Sequence, residues 1–389
     1  MSLTKKFQAL TGAQAAAQAM RQIAPSVVPV YPITPQTPII EEFAKMVANS
    51  QVDSDIIHAE SEHSVMSAAV GAQAAGVRAM TASSSAGLAL MYEILGVASG
   101  LRLPVVMNVA NRALSSPINI HCDHSDSMGI RDVGWIQIYS ENAQEVYDHN
   151  FLALKLAEKV MLPAMVMQDG FITSHSVENL ELVSDNSIQE YIERYEPDYP
   201  LLDVNHPVTV GALQLTDYYF ETKRQHIEAI EKVNQIYHDM AKLLRAHTGR
   251  DYPKIEAYEM QDAQAAILVL SSTAGTAKSV CKKLRKKGLK VGVIKPRLFT
   301  PFPQNELADL LRDLKYLAIL DRATSPGSDA PLAKEVNSAL LKQEFKPLIQ
   351  YCVFGLGGRE IYEKNLEDLY HDLLNEKITD QVKYLGLRE

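Results

Sequence analysis

A short apolar strand runs directly into a proline-rich turn at Val27-Val28-Pro29-Val30-Tyr31-Pro32-Ile33-Thr34-Pro35-Gln36-Thr37-Pro38. Proline fixes the backbone φ angle, removes a hydrogen-bond donor and disfavours helix for the residue before it. The sequence therefore predicts a strand that ends in a stiff, extended turn, with the Thr34 hydroxyl held in a nearly fixed position. Open α/β sheets bind ligands at the carboxyl ends of their strands, so this turn is a candidate ligand loop. The alternative interpretation is an edge strand followed by a proline-rich loop without a ligand.

Composition argues against several classes of protein. The 389-residue chain has 38 basic and 47 acidic residues, and its net charge of −9 argues against a nucleic-acid-binding face and against binding to an anionic membrane. Its three cysteines, Cys122, Cys281 and Cys352, are too far apart for a disulfide framework or for the Cys-x-x-Cys spacing of iron–sulfur and zinc sites. Residues 1–6 contain no apolar signal core, and no run of about 18 apolar residues occurs. We therefore expect a soluble, cytoplasmic protein.

Short apolar runs alternate with helical patterns along most of the chain, which is typical of parallel sheets with helical crossovers. The predicted strands cover residues 27–30, 56–62, 79–85, 104–110, 135–138, 164–168, 267–270, 290–294, 316–320 and 348–354. The pattern is lost over residues 177–208, which we interpret as a linker, and a long helix over residues 217–247 follows as a strut. The sequence thus predicts two α/β domains: residues 1–240, including the linker and the strut helix, and a smaller domain over residues 260–389.

Three ionisable residues, His58, Glu60 and Glu62, share one face if residues 56–62 form a strand. Imidazole and carboxylate groups suit transition metals, so a metal site is one interpretation, and solvated charges at a strand end are another. A third interpretation takes Glu62 alone as a carboxylate that points into a cleft lined by the small residues of the following helix. A lone glutamate in an apolar cleft resists ionisation unless a partner stabilises its charge. A protonated ring nitrogen of a cofactor would be such a partner.

Other polar motifs lie near predicted strand ends. Arg112 follows the strand over residues 104–110 and offers a planar fork for a carboxylate or phosphate, although a surface arginine beside a loop is the alternative. Asp123-His124-Ser125-Asp126 contains the residue types of a hydrolase triad, but the chain has no Gly-x-Ser-x-Gly elbow. We interpret it as a polar loop that hydrogen-bonds to itself and to its surroundings. Gly355-Leu356-Gly357-Gly358 follows a strand but lacks the spacing of a dinucleotide site, so it is a weak nucleotide signal.

Six short motifs occur along the chain in order: Tyr31-Pro32-Ile33-Thr34-Pro35, Glu60-Ser61-Glu62-His63, Asn111-Arg112-Ala113-Leu114-Ser115, Asp123-His124-Ser125-Asp126, Gln168-Asp169-Gly170-Phe171 and Arg322-Ala323-Thr324-Ser325-Pro326-Gly327-Ser328. As an ordered set they resemble the α subunit of 2-oxoacid:ferredoxin oxidoreductases, most closely the pyruvate enzymes (pyruvate synthases). Each motif is short, but the set is specific and spans nearly the whole chain.

The resemblance implies a fold and a role for individual residues. The expected fold is an α/β, parallel-sheet domain of the type that binds the pyrimidine of thiamine diphosphate, followed by a domain like the carboxy-terminal domain of transketolase. By motif, Glu62 would hydrogen-bond to the pyrimidine ring nitrogen opposite the exocyclic amine. Thr34 and Arg112 would hold the carboxylate and carbonyl of the substrate and act in catalysis with Glu62. The turn residues Tyr31, Pro32 and Ile33 would also contact the cofactor.

The resemblance also implies that this chain supplies half of an active site. Thiamine enzymes usually bind diphosphate and magnesium through a Gly-Asp-Gly motif, whereas the only Asp-Gly here is Asp169-Gly170, preceded by Gln168. A β subunit is therefore expected to supply the diphosphate pocket, Mg²⁺ and an iron–sulfur cluster, with no metal site on this chain. Small γ and δ subunits of a heterotetramer are expected to supply coenzyme A contacts and a ferredoxin-like relay.

The expected activity is the conversion of pyruvate and coenzyme A to acetyl-CoA, CO2 and reduced ferredoxin, or the reverse reaction. Three alternatives remain at this point. The same chemistry could act on a branched-chain 2-oxoacid or another 2-oxoacid. The chain could belong to a transketolase-type or dehydrogenase-type thiamine enzyme that passes its intermediate to a sugar or to lipoamide. It could also be a scaffold for partner subunits without a catalytic role.

Overall fold

The structure is a computed structural model that describes residues 6–388. Residues 1–5, which hold most of the segment used above to argue against a signal sequence, lie outside the described residues. The strands are β1 (Lys6–Thr11), β2 (Val27–Val30), β3 (Asp55–His58), β4 (Met80–Ser83), β5 (Val106–Asn111), β6 (Ile136–Tyr139), β7 (Ala164–Asp169), β8 (Val177–Leu182), β9 (Ile255–Tyr258), β10 (Ala265–Val269), β11 (Val291–Pro296), β12 (Leu298–Thr300), β13 (Tyr316–Asp321), β14 (Leu348–Phe354) and β15 (Lys383–Leu385).

The helices are α1 (Gly12–Ile23), α2 (Thr37–Ala48), α3 (Glu62–Ala75), α4 (Ser85–Leu90), α5 (Tyr92–Gly100), α6 (Ser125–Gly129), α7 (Ala143–Val160), α8 (Asp185–Ile192), α9 (Tyr219–Thr248), α10 (Thr273–Lys286), α11 (Gln304–Leu311), α12 (Pro331–Leu340) and α13 (Glu363–Leu374). Within residues 6–388, no helix combines the length and the apolar character needed to cross a bilayer.

A five-stranded sheet forms the centre of the amino-terminal half, in the order β12-β6-β7-β5-β4. Strands β4 to β7 run parallel, and every residue of β5 and β7 is buried, as in a sheet covered by helices on both faces. Strand β2 pairs in parallel with β3, and a bridge between Val27 and Ala79 places that pair beside β4. The predicted parallel sheet with crossovers is confirmed. Because β2 lies between β3 and β4, the interpretation of its proline-rich end as an edge-strand loop is wrong.

The prediction of a linker over residues 177–208 is wrong in its first half. Strand β8 pairs antiparallel with β1 along its whole length, and α8 follows directly. The hydroxyl of Ser184 accepts a hydrogen bond from the Ser187 amide and so caps α8. The strut helix is confirmed as α9, which packs against α7. Apolar residues spaced three and four apart on α9 are buried: Ala229, Val233, Tyr237, Ala241 and Leu244.

The carboxy-terminal half forms a second sheet of six strands, in the order β15-β14-β13-β10-β11-β9. All neighbours in this sheet are parallel except β9, which is antiparallel to β11. Helices α10 and α13 pack on one face, and α11 and α12 pack on the other together with residues of the first half. Strand β9 starts at Ile255, so the second α/β unit begins before residues 267–270, the first strand that we predicted for it. The domain boundaries at residues 240 and 260 stay a prediction.

A buried ionic cluster joins the two halves. Glu145 on α7 accepts hydrogen bonds from Lys295 at 2.7 Å and from Arg297 at 2.8 Å, and Lys295 also contacts Glu141 and Glu256. Burial alone would raise the pKa of Glu145, but the charges of Arg297 and Lys295 hold it well below its ordinary value. The chain that carries both cations continues directly into β12, which pairs antiparallel with β6 of the first sheet. The cluster and the shared strand therefore fix one half against the other.

Replacing Glu145 by glutamine is expected to lower the free energy of unfolding by about 3 kcal/mol or more, because Lys295 and Arg297 then stay buried without full compensation. Since the pKa of Glu145 is lowered in the folded state, its contribution is present above its unfolded value and is lost as the pH falls through the folded value. Chemical denaturation at neutral and acidic pH measures both effects. Glu363→Gln breaks the exposed Lys283–Glu363 pair and serves as the control, for which little change is expected. Equal stability of the two variants would contradict this account of the cluster.

Candidate active site

The structure places Glu62 at the start of a helix. Strand β3 ends at His58, and Glu62 is the first residue of α3, behind the N-cap Ser61, whose hydroxyl accepts a hydrogen bond from the Ser64 amide. The prediction that His58, Glu60 and Glu62 share one strand face is therefore wrong. His58 and Glu60 are exposed, and Glu60 accepts a hydrogen bond from the Ser64 hydroxyl. Among residues 6–388, these three do not form a cluster that could hold a metal ion.

Glu62 is buried, with 6% of its surface exposed, and lies against the small residue Gly87 on α4. A Cβ atom at Gly87 would come within 2.7 Å of Glu62 Oε1 and within 2.5 Å of Ser83 Oγ. In the part of the chain that the structure describes, the buried Ser83 hydroxyl has no hydrogen-bond partner, and the Glu62 carboxylate makes no hydrogen bond or ion pair with another side chain or with the backbone. Buried polar groups without partners are costly. Their position side by side makes this a candidate site for a polar ligand.

The close packing around Gly87 leads to a specific prediction. Gly87→Ala is expected to push the Glu62 side chain aside and to cost about 1–3 kcal/mol of stability, as overpacking of a filled site does. Gly71→Ala on α3 is the matched control, because nothing lies within 4 Å of the Cβ atom that it adds. There, alanine is expected to be neutral or to stabilise the helix by up to about 1 kcal/mol. Thermal unfolding of both variants measures the difference, and equal midpoints would mean that Gly87 is not needed for close packing.

Arg112 lies directly after β5 and is buried, so the interpretation of a surface arginine is wrong. Its Nη1 donates to the main-chain carbonyl of Thr34 at 3.0 Å, and its Nε donates to the carbonyl of Asn119 at 2.9 Å. Its Nη2 has no protein partner among residues 6–388 and can bind an anion. The structure thus brings the predicted pair Thr34 and Arg112 together, although through the Thr34 backbone, and leaves the Thr34 side chain exposed.

The proline turn is fixed by backbone hydrogen bonds and by the packing of Pro35, whereas its other residues remain accessible. The Ile33 carbonyl accepts hydrogen bonds from the Gln36 and Thr37 amides, which closes the turn and starts α2. Pro35 is buried and packs against Gly170, where an added Cβ would lie 2.7 Å from Pro35 Cγ. The other predicted cofactor-contacting residues of the turn remain accessible: Tyr31 and Ile33 are half-buried and Pro32 is exposed.

Sequence reasoning did not single out Asp126, which connects the parts of the site. Its carboxylate is buried and accepts hydrogen bonds from the backbone amides of Ser85, Arg112 and Ser127 and from the side chain of Asn111. Burial raises the pKa of Asp126 to about 6, against the opposing effect of these donors. The one signal in the sequence was the polar run 123–126, and the prediction that it hydrogen-bonds to its surroundings is confirmed.

Asp169, the acid of the Asp-Gly pair, is buried between the two halves of the molecule. It interacts with His124 Nε2 at 2.8 Å and with Arg322 Nη1 at 3.0 Å, and it accepts further hydrogen bonds from Ser272. Burial alone would raise the pKa of Asp169, but Arg322 and His124 hold it well below its usual range. Cys122, His124 and Asp169 bring possible ligand atoms within 4.8 Å of one another, but the charge of Asp169 is already balanced by Arg322. Asp169 is therefore a structural ion-pair partner.

The glycine-rich segment 355–358 docks the second half onto the loop that supports Arg112. The Gly358 amide donates to the Cys122 carbonyl at 2.7 Å, and the Gly357 amide donates to Asp123 at 3.1 Å. The Asn119 side chain donates to the Gly357 carbonyl, and Gly357 has a positive φ of 58°. These contacts give the segment a structural role in place of the weak nucleotide signal.

The chain is similar to known proteins along most of its length. A family model described as pyruvate flavodoxin/ferredoxin oxidoreductase, thiamine diphosphate-binding, matches residues 18–242, and one described as pyruvate:ferredoxin oxidoreductase core domain II matches residues 263–366. The pyruvate synthase subunit PorA of Thermotoga maritima is 52% identical over 384 residues, which cover 98% of each chain. The ketoisovalerate oxidoreductase subunit VorA of Pyrococcus abyssi is 40% identical over 365 residues, which cover 94% of this chain and 92% of the relative.

The fold is similar to that of a solved 2-oxoglutarate:ferredoxin oxidoreductase from Magnetococcus marinus, with a TM-score of 0.77 and 19% sequence identity. The match covers 96% of this chain, which spans 66% of that longer chain. The family models and the relatives thus confirm the resemblance seen in the sequence motifs. The chain belongs to the pyruvate:ferredoxin oxidoreductase family and carries that family's thiamine diphosphate-binding domain followed by its core domain II.

Proposed function

We propose that this chain is the α subunit of a multi-subunit pyruvate:ferredoxin oxidoreductase, which converts pyruvate and coenzyme A to acetyl-CoA, CO2 and reduced ferredoxin, or catalyses the reverse reaction. The observation that carries the proposal is the Glu62 carboxylate, which is buried beside Gly87 and has no partner among residues 6–388. A carboxylate in such a place needs a positive or hydrogen-donating ligand. The pyrimidine of thiamine diphosphate provides one.

The residues present fit the aminopyrimidine. Glu62 would accept a hydrogen bond from the protonated ring nitrogen, and the unpartnered hydroxyl of Ser83 lies next to it for a second polar contact. Tyr31, Pro32 and Ile33 would form the accessible edge against the ring. When bound, thiamine diphosphate supplies the electron sink for the loss of CO2 from a 2-oxoacid, which no side chain can provide. The chain contributes the orientation of the ring and the stabilisation of its protonated state.

Arg112 and Thr34 would bind the substrate. The Nη2 of Arg112 is free among the described residues, while its Nε and Nη1 are fixed by Asn119 and by the proline turn. An arginine anchored in this way presents its remaining donor to a substrate carboxylate at little entropic cost. The exposed Thr34 hydroxyl, on the same turn, would donate to the substrate carbonyl or carboxylate. Pyruvate is the substrate proposed here, and a branched-chain 2-oxoacid is the second candidate because a ketoisovalerate oxidoreductase subunit is 40% identical.

The site also requires a partner subunit. Asp169, the acid of the only Asp-Gly pair, is fully occupied by Arg322, His124 and Ser272, so it cannot hold the magnesium of a diphosphate. A β subunit would supply the diphosphate pocket, Mg²⁺ and iron–sulfur clusters, and γ and δ subunits would complete the electron path to ferredoxin. The complex would act in the cytoplasm.

The surface next to the site supports a partner subunit. Large apolar side chains are exposed on α4 and α5, the helices that continue from Gly87: Leu90, Tyr92 and Val97. A second exposed apolar group lies in the segment before and at the start of α9: Tyr199, Leu202, Val204, Leu213, Leu215, Tyr218 and Phe220. Clustered apolar exposure on a soluble protein marks interaction surfaces. We propose that the α4–α5 face contacts the subunit that closes the cofactor site.

Purification of the complex with its co-expressed partners tests the proposal. The complex is expected to contain thiamine diphosphate and iron, and to reduce a viologen dye only when both pyruvate and coenzyme A are present. The value of kcat/KM is expected to be higher for pyruvate than for 3-methyl-2-oxobutanoate, and the opposite order would favour the branched-chain alternative. Turnover without iron–sulfur absorbance would favour a transketolase-type or dehydrogenase-type enzyme.

A further inference from the structure

A single buried carboxylate, that of Asp126, holds together the two parts of the candidate site. Its Oδ2 accepts hydrogen bonds from the backbone amides of Ser85 and Arg112, both at 2.9 Å. Its Oδ1 accepts from the Asn111 side chain at 2.8 Å and from the Ser127 amide at 2.7 Å. Two donors per oxygen account for the hydrogen-bonding capacity of an ionised carboxylate. Only 1% of the residue is exposed.

The two donors to Oδ2, the Ser85 and Arg112 amides, belong to the cofactor side and to the substrate side of the site. Ser85 begins α4, and two residues later Gly87 lies against the Glu62 carboxylate. Ser85 has a positive φ of 46°, which L-residues adopt only when their surroundings enforce it. Arg112 carries the guanidinium that contacts the proline turn. Asp126 therefore links the cofactor side and the substrate side of the site through one oxygen atom.

We propose that Asp126 is the positioning residue that sets Arg112 relative to Glu62, so that a bound 2-oxoacid faces the cofactor ring. The proposal rests on the function proposed above and adds a residue to it. Asp126 does not contact the substrate, because it is buried and its acceptor sites are taken by protein donors. It acts through the start of α4 and through the backbone of Arg112.

A purely structural role makes a different prediction from a positioning role. If Asp126 served folding alone, its replacement would lower stability and leave the kinetic constants of the remaining folded enzyme unchanged. A positioning residue also changes KM for the 2-oxoacid, since Arg112 moves, and kcat, since the reacting groups are misaligned. Misplacement by about 1 Å is enough to reduce the rate on the order of 100-fold.

The test uses Asp126→Asn in the complete complex. Asparagine keeps the size of the side chain but replaces one oxygen by an amide nitrogen, which cannot accept hydrogen bonds from backbone amides. We expect kcat/KM for pyruvate to fall about 100-fold, with KM raised and kcat lowered. Asp321→Asn is the matched control. Asp321 lies in the second half of the chain, is also buried, and accepts hydrogen bonds from the Leu332 and Ala333 amides at the start of α12. It is expected to lower stability while both kinetic constants stay near wild type.

Asn111→Ser provides a milder variant should Asp126→Asn fail to assemble. It removes the hydrogen bond from Asn111 to Asp126 Oδ1, together with the one from Asn111 to Ser127 Oγ, and leaves the carboxylate with its three backbone donors. A roughly 5-fold lower kcat/KM is expected, in line with the loss of about 1 kcal/mol for the one hydrogen bond to Asp126. Wild-type kinetic constants in a folded Asp126→Asn or Asn111→Ser complex would overturn the proposal, as would an equal kinetic loss in Asp321→Asn. Failure of the proposed function would appear separately, as a wild-type complex that does not turn over pyruvate.

Discussion

Replacing Glu62 by glutamine is expected to lower kcat for pyruvate-dependent dye reduction by about 100-fold or more, with the complex still assembled and still containing thiamine diphosphate. The physical reason is that a neutral amide cannot stabilise a protonated pyrimidine ring, while it keeps the size of the side chain that packs against Gly87. Effects of positioned proton-transfer groups typically lie between about 100- and 10,000-fold. Steady-state kinetics of the purified complex, with cofactor content measured in parallel, checks the prediction.

Glu60→Gln is the control for this experiment. Glu60 lies two residues earlier, in the loop that precedes α3, but it is exposed and contacts Ser64, so its replacement is expected to leave kcat unchanged. Turnover by Glu62→Gln at the wild-type rate, in a complex that retains its cofactor, would mean that the chain is a scaffold. Loss of activity in both variants would point to a general disturbance of the loop that precedes α3.

The second large effect is expected for Arg112→Lys. Lysine keeps the positive charge but cannot reach the Thr34 and Asn119 carbonyls at the same time, and it lacks the planar fork of arginine. The change therefore removes both the hydrogen bonds that fix the side chain and the donor geometry that suits a carboxylate. We expect kcat/KM for pyruvate to fall about 100-fold, which corresponds to about 2.7 kcal/mol of transition-state stabilisation, within the range for truncating one partner of a buried charge pair. The affinity for thiamine diphosphate is expected to change little. Kinetics over a range of pyruvate concentrations and calorimetric titration of the cofactor separate these effects.

Arg102→Lys offers a close control, because the Arg102 guanidinium also donates to two main-chain carbonyls, those of Met161 and Val160. Arg102 lies just beyond the carboxyl end of α5 and takes no part in the candidate site. Its replacement is expected to affect stability and to spare kcat/KM. A similar kinetic loss in both variants would contradict a substrate-binding role for Arg112.

The fold could be predicted where the pattern of apolar residues is long enough. Strands β5 and β7 are continuous buried apolar segments, and α9 buries one face through residues spaced three and four apart; the sequence predicts all three elements. Strand β12 has three residues, too few to show a period, and β8 is recognisable as a strand only through its distant partner β1. Both depend on contacts between remote parts of the chain.

The candidate site divides in the same way. Glu62 and Arg112 can be identified from the sequence because their side chains belong to motifs. The short alternation of polar residues predicts a strand at Glu62, but Ser61 caps α3 and the helix begins there. Asp126 went unrecognised because three of its four donors are backbone amides, which leave no trace in the sequence. The ion pair between Asp169 and Arg322 forms only where the two halves of the molecule meet, and the local sequence around each residue does not reveal it.

The most direct test of the account is an experimental structure of the assembled complex with thiamine diphosphate bound. We predict that the Glu62 carboxylate lies within hydrogen-bond distance, about 3 Å, of the pyrimidine ring nitrogen and that a different subunit holds the diphosphate. A Glu62 side chain turned towards bulk water, or a cofactor enclosed by this chain alone, would contradict it.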